Sequence, residues 1–135
     1  MDITLLCIWL RGGFDVVVLD SFERSTDFAL DRLRSRGIPI LKADVRSFDG
    51  YKNFDVVVHA AAYVSVPESF ERPIEYLDNN AFGTAWAAYS CARHGARLIY
   101  LSSAAVYGNP VKLPIPEDHP INPISPMALA SGLES

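Results

Sequence analysis

Residues 98–108 read Leu-Ile-Tyr-Leu-Ser-Ser-Ala-Ala-Val-Tyr-Gly, and this stretch indicates which class of fold the chain adopts. An apolar run ends in two hydroxyl side chains, Ser102 and Ser103, and small residues follow them. This order is typical of a buried parallel strand that carries polar groups at its carboxyl end. Ligands of open α/β sheets bind at the carboxyl ends of the strands. Ser103 is therefore the first candidate functional residue.

Four apolar runs predict the strands of one sheet. Residues 15–20 and 54–59 are rich in valine and suit strands that are buried on both faces, as parallel sheets require. Residues 38–42 and 97–102 predict two more strands. Helical segments separate these strands, and this alternation predicts right-handed βαβ crossovers. The expected fold is an α/β, doubly wound parallel sheet of the Rossmann-like type.

Two helices are predicted between the strands. The first begins at Ser25 or Thr26, either of which can cap it, and runs to Arg36. The second begins at Pro73, because proline suits the first turn of a helix. It extends to about His94, where a glycine follows.

The remaining segments have weaker patterns. Residues 3–10 are apolar without a clear period and favour a helix, while 47–53 predict a short connection or one helical turn. Residues 66–72 are predicted to be a loop. Six prolines between residues 110 and 126 predict an extended surface loop, since neither helix nor strand interiors tolerate that density. A helix is expected to begin within residues 126–135.

Composition excludes several classes of function. The 135 residues fit one domain, and the net charge of −4 without a basic stripe excludes nucleic-acid binding. The longest apolar run, residues 3–10, is far shorter than the roughly 20 residues of a membrane span. Asp2 precedes it where a secretory signal carries basic residues. The two cysteines, Cys7 and Cys91, lack the spacing of metal ligands, so no metal site is expected. They are predicted to be buried free thiols, which suits the cytoplasm.

Acidic residues end the first two strands. In a dinucleotide-binding fold, an acid at the position of Asp20 binds the ribose hydroxyls and repels a 2′-phosphate. The alternative is a simple cap or turn. Arg24 nearby is a feature of NADP-binding proteins, but the acid favours NAD. Asp44 and Val45 end the next strand and could contact an adenine edge, although a turn-forming aspartate explains the same pattern.

Small and polar residues follow the third strand and interrupt the long helix. Three alanines follow the third strand: Ala60, Ala61 and Ala62. Their small side chains would allow a cofactor to come close, and tight packing of a helix on the sheet is the alternative. His59 is predicted to be a hydrogen-bonded strand-end histidine rather than a catalyst. Asn79 and Asn80 are unfavourable inside a helix, which suggests that Asn80 bridges strands or touches a cofactor. No nucleophile elbow surrounds Ser103.

Six segments together resemble one family, in its order and at its distances across residues 12–127. They are DVVVLDSF, ADVR, DVVVHAAA, SVPES with YLDNNAFGT, LIYLSSAAVYG and PINPISP. The chain thus resembles the extended short-chain dehydrogenases/reductases, in their NAD-dependent sugar-nucleotide epimerase/dehydratase branch. Residues 102–108 are similar to those of UDP-glucose 4-epimerases. Sugar dehydratases typically carry an Asp-Glu pair where Ala104 and Ala105 stand.

The resemblance implies NAD as cofactor, a nucleotide sugar as substrate and an isomerase reaction. Asp20 would hold the adenosine ribose, Asp44 and Val45 the adenine, and Ser103 the reacting sugar oxygen. The long helix of residues 73–94 would form half of a homodimer interface. The cofactor would also be lined by the alanines and two polar residues: Ala60, Ala61, Ala62, Asn80 and Ser102.

Two departures from the family modify this expectation. The sequence contains no glycine-rich phosphate-binding turn and no strand before it, so the sheet is expected to have a gap between residues 15–20 and 54–59. Met127 and Ser131 stand where the family has Tyr-x-x-x-Lys. Residues 1–135 thus predict one partial dinucleotide-binding domain without a substrate domain, truncated at both ends and inactive alone. The alternatives are a non-catalytic nucleotide-binding or subunit-association module, and a fragment without a stable fold.

Overall fold

The computed structural model describes residues 13–133, and two pairs of parallel strands form its framework. Strand β1 (Val18–Asp20) pairs with β2 (Ile40–Lys42), and β3 (Val56–His59) pairs with β4 (Arg97–Tyr100). All four predicted strands are confirmed, each shorter than its apolar run. The helix expected at residues 3–10 lies outside the described residues.

The helices between the strands follow the predicted order. Helix α1 (Asp27–Arg34) begins at Thr26, whose side-chain oxygen accepts a hydrogen bond from the Ala29 amide at 3.3 Å. This capping bond satisfies an amide that has no partner within the helix. One 3₁₀ turn, Gly50–Asn53, precedes β3. The prediction of a single turn in this polar connection is confirmed.

The segment 66–72 was predicted to be a loop, and this prediction is wrong. Residues Val66–Glu71 form a short helix, α2. The Ser65 hydroxyl accepts a hydrogen bond from the Glu68 amide at 3.4 Å, and a proline lies in the first turn. Ser65 and Glu68 have the Ser-x-x-Glu spacing of a capping box, which is a helix-start signal in the sequence.

The long helix extends over the predicted range but contains an irregular centre. Helix α3 (Pro73–Tyr76) continues into a π-helical segment, Leu77–Phe82, and then into α4 (Gly83–His94). Gly95 ends it at a φ of 75°, a left-handed conformation that favours glycine. The π-helical segment contains the two asparagines that were unfavourable for a regular helix.

In the described residues the sheet is interrupted between β1 and β3, where the sequence predicted a gap. These two strands do not pair with each other in the described chain, and an apolar cleft of about 100 Å³ lies between the two strand pairs. The fold is therefore a partial doubly wound α/β sheet. Its larger core cluster packs α4 and the 3₁₀ turn against the strands through Val45, Tyr51, Ala87 and Cys91.

The carboxyl-terminal part begins with a 3₁₀ turn after β4, Ala104–Tyr107. An extended proline-rich loop follows and leads to helix α5 (Pro126–Gly132), which is capped by Ser125. Both the loop and the helix were expected. Helix α5 packs against α2, α3, the π-helical segment and the 3₁₀ turn. Within residues 13–133, no helix is long and apolar enough to cross a membrane.

Candidate functional site

Asp20 ends β1 and organises the turn that follows. One carboxylate oxygen accepts the Phe22 amide at 2.7 Å, and the other accepts the Ser25 hydroxyl at 2.6 Å. Phe22 adopts a φ of 65°, which non-glycine residues rarely adopt. The side chain is thus a turn-former, the alternative that the sequence left open. A carboxylate has about four acceptor positions, of which these two bonds use two, and Asp20 is 5% exposed.

Asp44 and Val45 follow β2 at the same edge of the sheet. The Arg46 guanidinium and amide donate to the Asp44 carboxylate, with N–O distances of 2.8–3.0 Å from the amide and Nε. These bonds to Arg46 hold the pKa of Asp44 below its usual value. Arg46 also pairs with Asp78 in the π-helical segment. Val45 is buried, and its Cγ1 lies beside Gly83.

The loop after β3 is clamped by one buried amide. The Tyr63 amide donates to Asn80 Oδ1 at 2.8 Å, and Asn80 Nδ2 donates to the Tyr63 carbonyl at 3.0 Å. Asn80 thus bridges to a loop rather than to a strand, and it fixes the path of three small residues: Ala60, Ala61 and Ala62. Their side chains add no bulk, so this edge of β3 is open to a close approach.

Asn80 and β3 are connected through a buried polar chain. The Thr84 hydroxyl donates to the Asn80 carbonyl at 2.9 Å and lies 2.8 Å from His59 Nε2. Because the single hydroxyl proton is already donated, His59 Nε2 carries the proton that reaches Thr84 Oγ1. Burial lowers the pKa of His59 to about 4. The prediction that His59 is a hydrogen-bonded strand-end residue is confirmed.

An arginine in the loop after β1 forms a cluster that the sequence analysis did not find. Arg24 donates to both oxygens of Glu68, at 2.6 and 2.7 Å. Its guanidinium carbon lies 3.9 Å from the centre of the Tyr63 ring, within the range of a cation–π contact. Tyr63 in turn donates to Glu23 at 2.7 Å. Forty-four positions separate Arg24 from Glu68, so no local spacing predicts this pair.

The serines after β4 lie at the start of the 3₁₀ turn. The Ser103 hydroxyl accepts the Ala105 amide at 3.2 Å and caps the turn, while Ser102 is exposed. Helix α5 packs on this turn, and its four buried residues include Met127 and Ser131. Ser131 Oγ donates to the Met127 carbonyl at 3.3 Å, one helical turn away.

The loops after β1, β2 and β3, together with α2, α3 and the π-helical segment, line a polar cleft of about 840 Å³. The walls combine carboxylates and guanidinium groups with one tyrosine and one apolar side chain: Glu23, Arg24, Arg46, Tyr63, Glu68, Arg72, Ile74, Glu75 and Asp78. The four carboxylates exceed the three arginines by one. Over the described range, no three His, Cys, Asp or Glu side chains are grouped so as to hold a metal ion.

These features define a Rossmann-like α/β protein with acids and small residues at its strand ends. A sequence model of the NAD dependent epimerase/dehydratase family matches residues 5–131. The chain belongs to this family, as its sequence motifs predicted.

Similar proteins include UDP-glucose 4-epimerases from plants and bacteria. UDP-glucose 4-epimerase 4 of Oryza sativa subsp. japonica is 37% identical over 130 residues, which cover 87% of this chain and 35% of that protein. The structure of UDP-glucose 4-epimerase from Bifidobacterium longum in complex with NAD⁺ and UDP has a TM-score of 0.80 and 32% identity, over 90% of this chain and 40% of that one.

The enzyme from Stenotrophomonas maltophila, with bound NAD and formylated UDP-arabinopyranose, has a TM-score of 0.81 and 29% identity. The match covers 90% of this chain and 39% of that enzyme. The chain thus spans little more than a third of the length of the relatives that it matches.

Proposed function

We propose that this chain is a single nucleotide-binding domain that binds the adenosine half of NAD and does not epimerise nucleotide sugars by itself. One observation carries the second half of this proposal. Met127 and Ser131 stand in α5 at the positions where the family resemblance implies a tyrosine and a lysine. Both residues are buried and lie one helical turn apart, which is the spacing of the expected pair.

Neither residue can replace the expected pair chemically. A thioether carries no exchangeable proton, so Met127 cannot act as an acid or base towards a sugar hydroxyl. Ser131 carries no charge that would lower the pKa of a neighbouring phenol. General acid–base catalysis typically contributes roughly 10²–10⁴-fold to a rate, and this contribution is lost. Ser103 remains after β4, but its hydroxyl caps the 3₁₀ turn.

The residues at the strand ends fit the adenosine half of a dinucleotide. Asp20 retains acceptor positions for ribose hydroxyls, and Ala60–Ala62 leave room beside β3. Asp44 and Val45 are placed at the neighbouring strand end, where an adenine edge would lie. When bound, NAD supplies a hydride acceptor for sugar oxidation. The two related bacterial epimerases have structures with bound NAD, which supports NAD as the cofactor of this chain.

Calorimetry and an activity assay test the two halves of the proposal separately. We expect NAD to bind the purified chain, and we expect no interconversion of UDP-glucose and UDP-galactose above background. Asp31→Asn is a suitable control that should bind NAD like the native chain, because Asp31 is exposed on α1 and its side chain pairs with Arg34. Absence of NAD binding at millimolar concentration contradicts the first half, and measurable turnover contradicts the second.

Self-association is a second candidate function. Three large side chains on the segment 73–94 are exposed, namely Ile74, Phe82 and Tyr89, at 75%, 53% and 57%. Exposed apolar patches mark protein interaction sites, and the family resemblance implies half of a homodimer interface on this segment. Sedimentation equilibrium should give twice the monomer mass, and Ile74→Glu should restore the monomer. Ile121→Glu, at an exposed residue of the proline-rich loop, is the control, and a monomeric wild type contradicts this proposal.

The cytoplasm is the compartment that we propose for the chain. Cys91 is buried and has no disulfide, which suits a reducing environment. Thiol titration of the denatured protein isolated from cells would show free cysteine in that case. An oxidised Cys91 would contradict the assignment.

A further inference from the structure

Arg24 lies four residues after Asp20, in the loop that would surround the adenosine ribose. An arginine beside the acid at this strand end is the feature that accommodates the 2′-phosphate of NADP in dinucleotide-binding folds. The sequence therefore carries both features, an acid that suits NAD and an arginine that suits NADP. The structure shows how the arginine is engaged.

The guanidinium group of Arg24 is engaged by a carboxylate at its two terminal nitrogens and by an aromatic ring on one face. Arg24 Nη1 and Nη2 each donate one hydrogen bond to the Glu68 carboxylate. The Tyr63 ring lies over one face of the guanidinium group, with its centre 3.9 Å from the guanidinium carbon. Glu68 is itself fixed, since it also accepts the Tyr76 hydroxyl at 2.9 Å and Arg72 at 3.0 Å. The side chain of Arg24 is only 23% exposed. A paired guanidinium of this kind is pre-organised and costly to release.

We propose that Glu68 is a specificity-determining residue, which selects NAD over NADP by holding Arg24 away from the 2′-phosphate. This inference rests on the proposed binding of NAD. Glu68 acts through Arg24 and need not touch the nucleotide, so it is a positioning residue. It lies on α2 and lines the polar cleft together with Arg24.

The other charges of the cleft support the same selection. Arg46 is paired with Asp44 and Asp78, and Arg72 is paired with Glu68 and Glu75. Each arginine that lines the cleft is thus already neutralised by a carboxylate. A 2′-phosphate would add up to two negative charges to walls that carry an excess of carboxylates.

Glu68→Gln is the central variant, because it removes the charge and keeps the shape of the side chain. Arg24 is then free to turn towards the ribose. We expect the affinity for NADP, measured by calorimetry, to rise roughly tenfold or more, because a charge-assisted bond to phosphate is formed. The affinity for NAD should change less than about twofold. The ratio of the two affinities is a readout that a purely structural role of Glu68 would not shift.

Two further variants make the result specific. Glu71→Gln makes the same chemical change on the same helix, at an exposed residue outside the cleft, and should leave both affinities unchanged. Arg24→Gln in the otherwise native chain should not weaken NADP binding, since Arg24 is already held by Glu68. Adding Arg24→Gln to Glu68→Gln should abolish the gain in NADP affinity.

The outcomes distinguish this inference from the proposed function. An unchanged NADP-to-NAD affinity ratio in Glu68→Gln, with NAD still bound, overturns the specificity role alone. Weaker NADP binding in Arg24→Gln also overturns it, because Arg24 would then already contact the phosphate. If the native chain binds no NAD, the proposed function fails and the specificity role fails with it. If Glu68→Gln does not fold, NADP binding by Arg24→Gln tests the proposal. Binding as strong as in the native chain supports it, and weaker binding overturns it.

Discussion

His59 Nε2 donates a hydrogen bond to Thr84 Oγ1 at 2.8 Å, and this bond connects the end of β3 to the first turn of α4. Both residues are nearly fully buried, at 4% and 6% exposure. The imidazole stacks on Tyr100 of the neighbouring strand, with ring centres 6.1 Å apart. His59 therefore belongs to the core as a neutral ring, and its protonation is opposed by burial.

The first prediction concerns the pH dependence of stability. Burial lowers the pKa of His59 from 6.5 to about 4, so the unfolded chain binds the proton more tightly than the folded chain. The free energy of unfolding is then fully retained above pH 6.5 and decreases as the pH falls towards 4. The decrease from this residue is at most about 3 kcal/mol. Urea unfolding at pH 7, 5.5 and 4.5 would measure it.

The matched variant for this prediction is His59→Gln, whose amide can still donate to Thr84 but does not titrate. Carboxylates that lose their charge in acid affect both proteins, so the difference between the two unfolding curves isolates His59. Parallel pH dependences in native protein and variant would show that the imidazole is not responsible.

The second prediction concerns the Asn80 clamp. Asn80→Asp keeps one acceptor for the Tyr63 amide but replaces the donor with an oxygen that faces the Tyr63 carbonyl. Because Asn80 is 3% exposed, water cannot satisfy the lost bond. We expect a loss of about 2–3 kcal/mol in the free energy of unfolding. Asn53→Asp, at an exposed position of the 3₁₀ turn, should cost little in the same denaturation experiment, and equal costs would refute the clamp.

Most of the fold could be predicted from the sequence because its signals are local. The valine runs, the threonine cap of α1 and Gly95 act within a few residues of the elements they define. The gap between β1 and β3 was predictable from the family resemblance. Helix α2, where a loop was predicted, also has a local signal in the sequence, the Ser-x-x-Glu spacing of Ser65 and Glu68.

The candidate site was predictable only as a set of strand-end residues. Their positions follow from strand order, whereas their contacts depend on distant partners. The pair formed by Arg24 and Glu68 joins the loop after β1 to α2, and Arg46 joins the loop after β2 to Asp78. Such contacts require the three-dimensional arrangement of the loops. The π-helical segment around Asn80 is an intermediate case, since the two asparagines were unfavourable for a regular helix but the sequence did not predict the π-helical geometry.

The third prediction concerns the turn that follows the candidate serine. Gly108 has a φ of 61°, and a Cβ atom at this position would lie 2.1 Å from the Asn122 carbonyl oxygen. Gly108→Ala thus combines backbone strain with a clash against backbone, and should cost about 3 kcal/mol or more. Gly132→Ala is the control, because its nearest neighbour would be 3.5 Å away. Thermal melting of both variants compares them, and similar melting temperatures would contradict the prediction.

The fourth prediction tests the charge pair at the end of β2. Hydrogen bonds from Arg46 hold the pKa of Asp44 below its ordinary value of 3.8. Arg46→Gln removes the charge and most of the donors, so the pKa of Asp44 should rise towards 3.8. NMR titration of the side-chain carboxyl carbon would follow it. Arg34→Gln, which removes an exposed arginine on α1, should leave Asp44 unchanged. Equal titration of Asp44 in all three proteins would show that the Arg46 side chain does not control the pKa of Asp44.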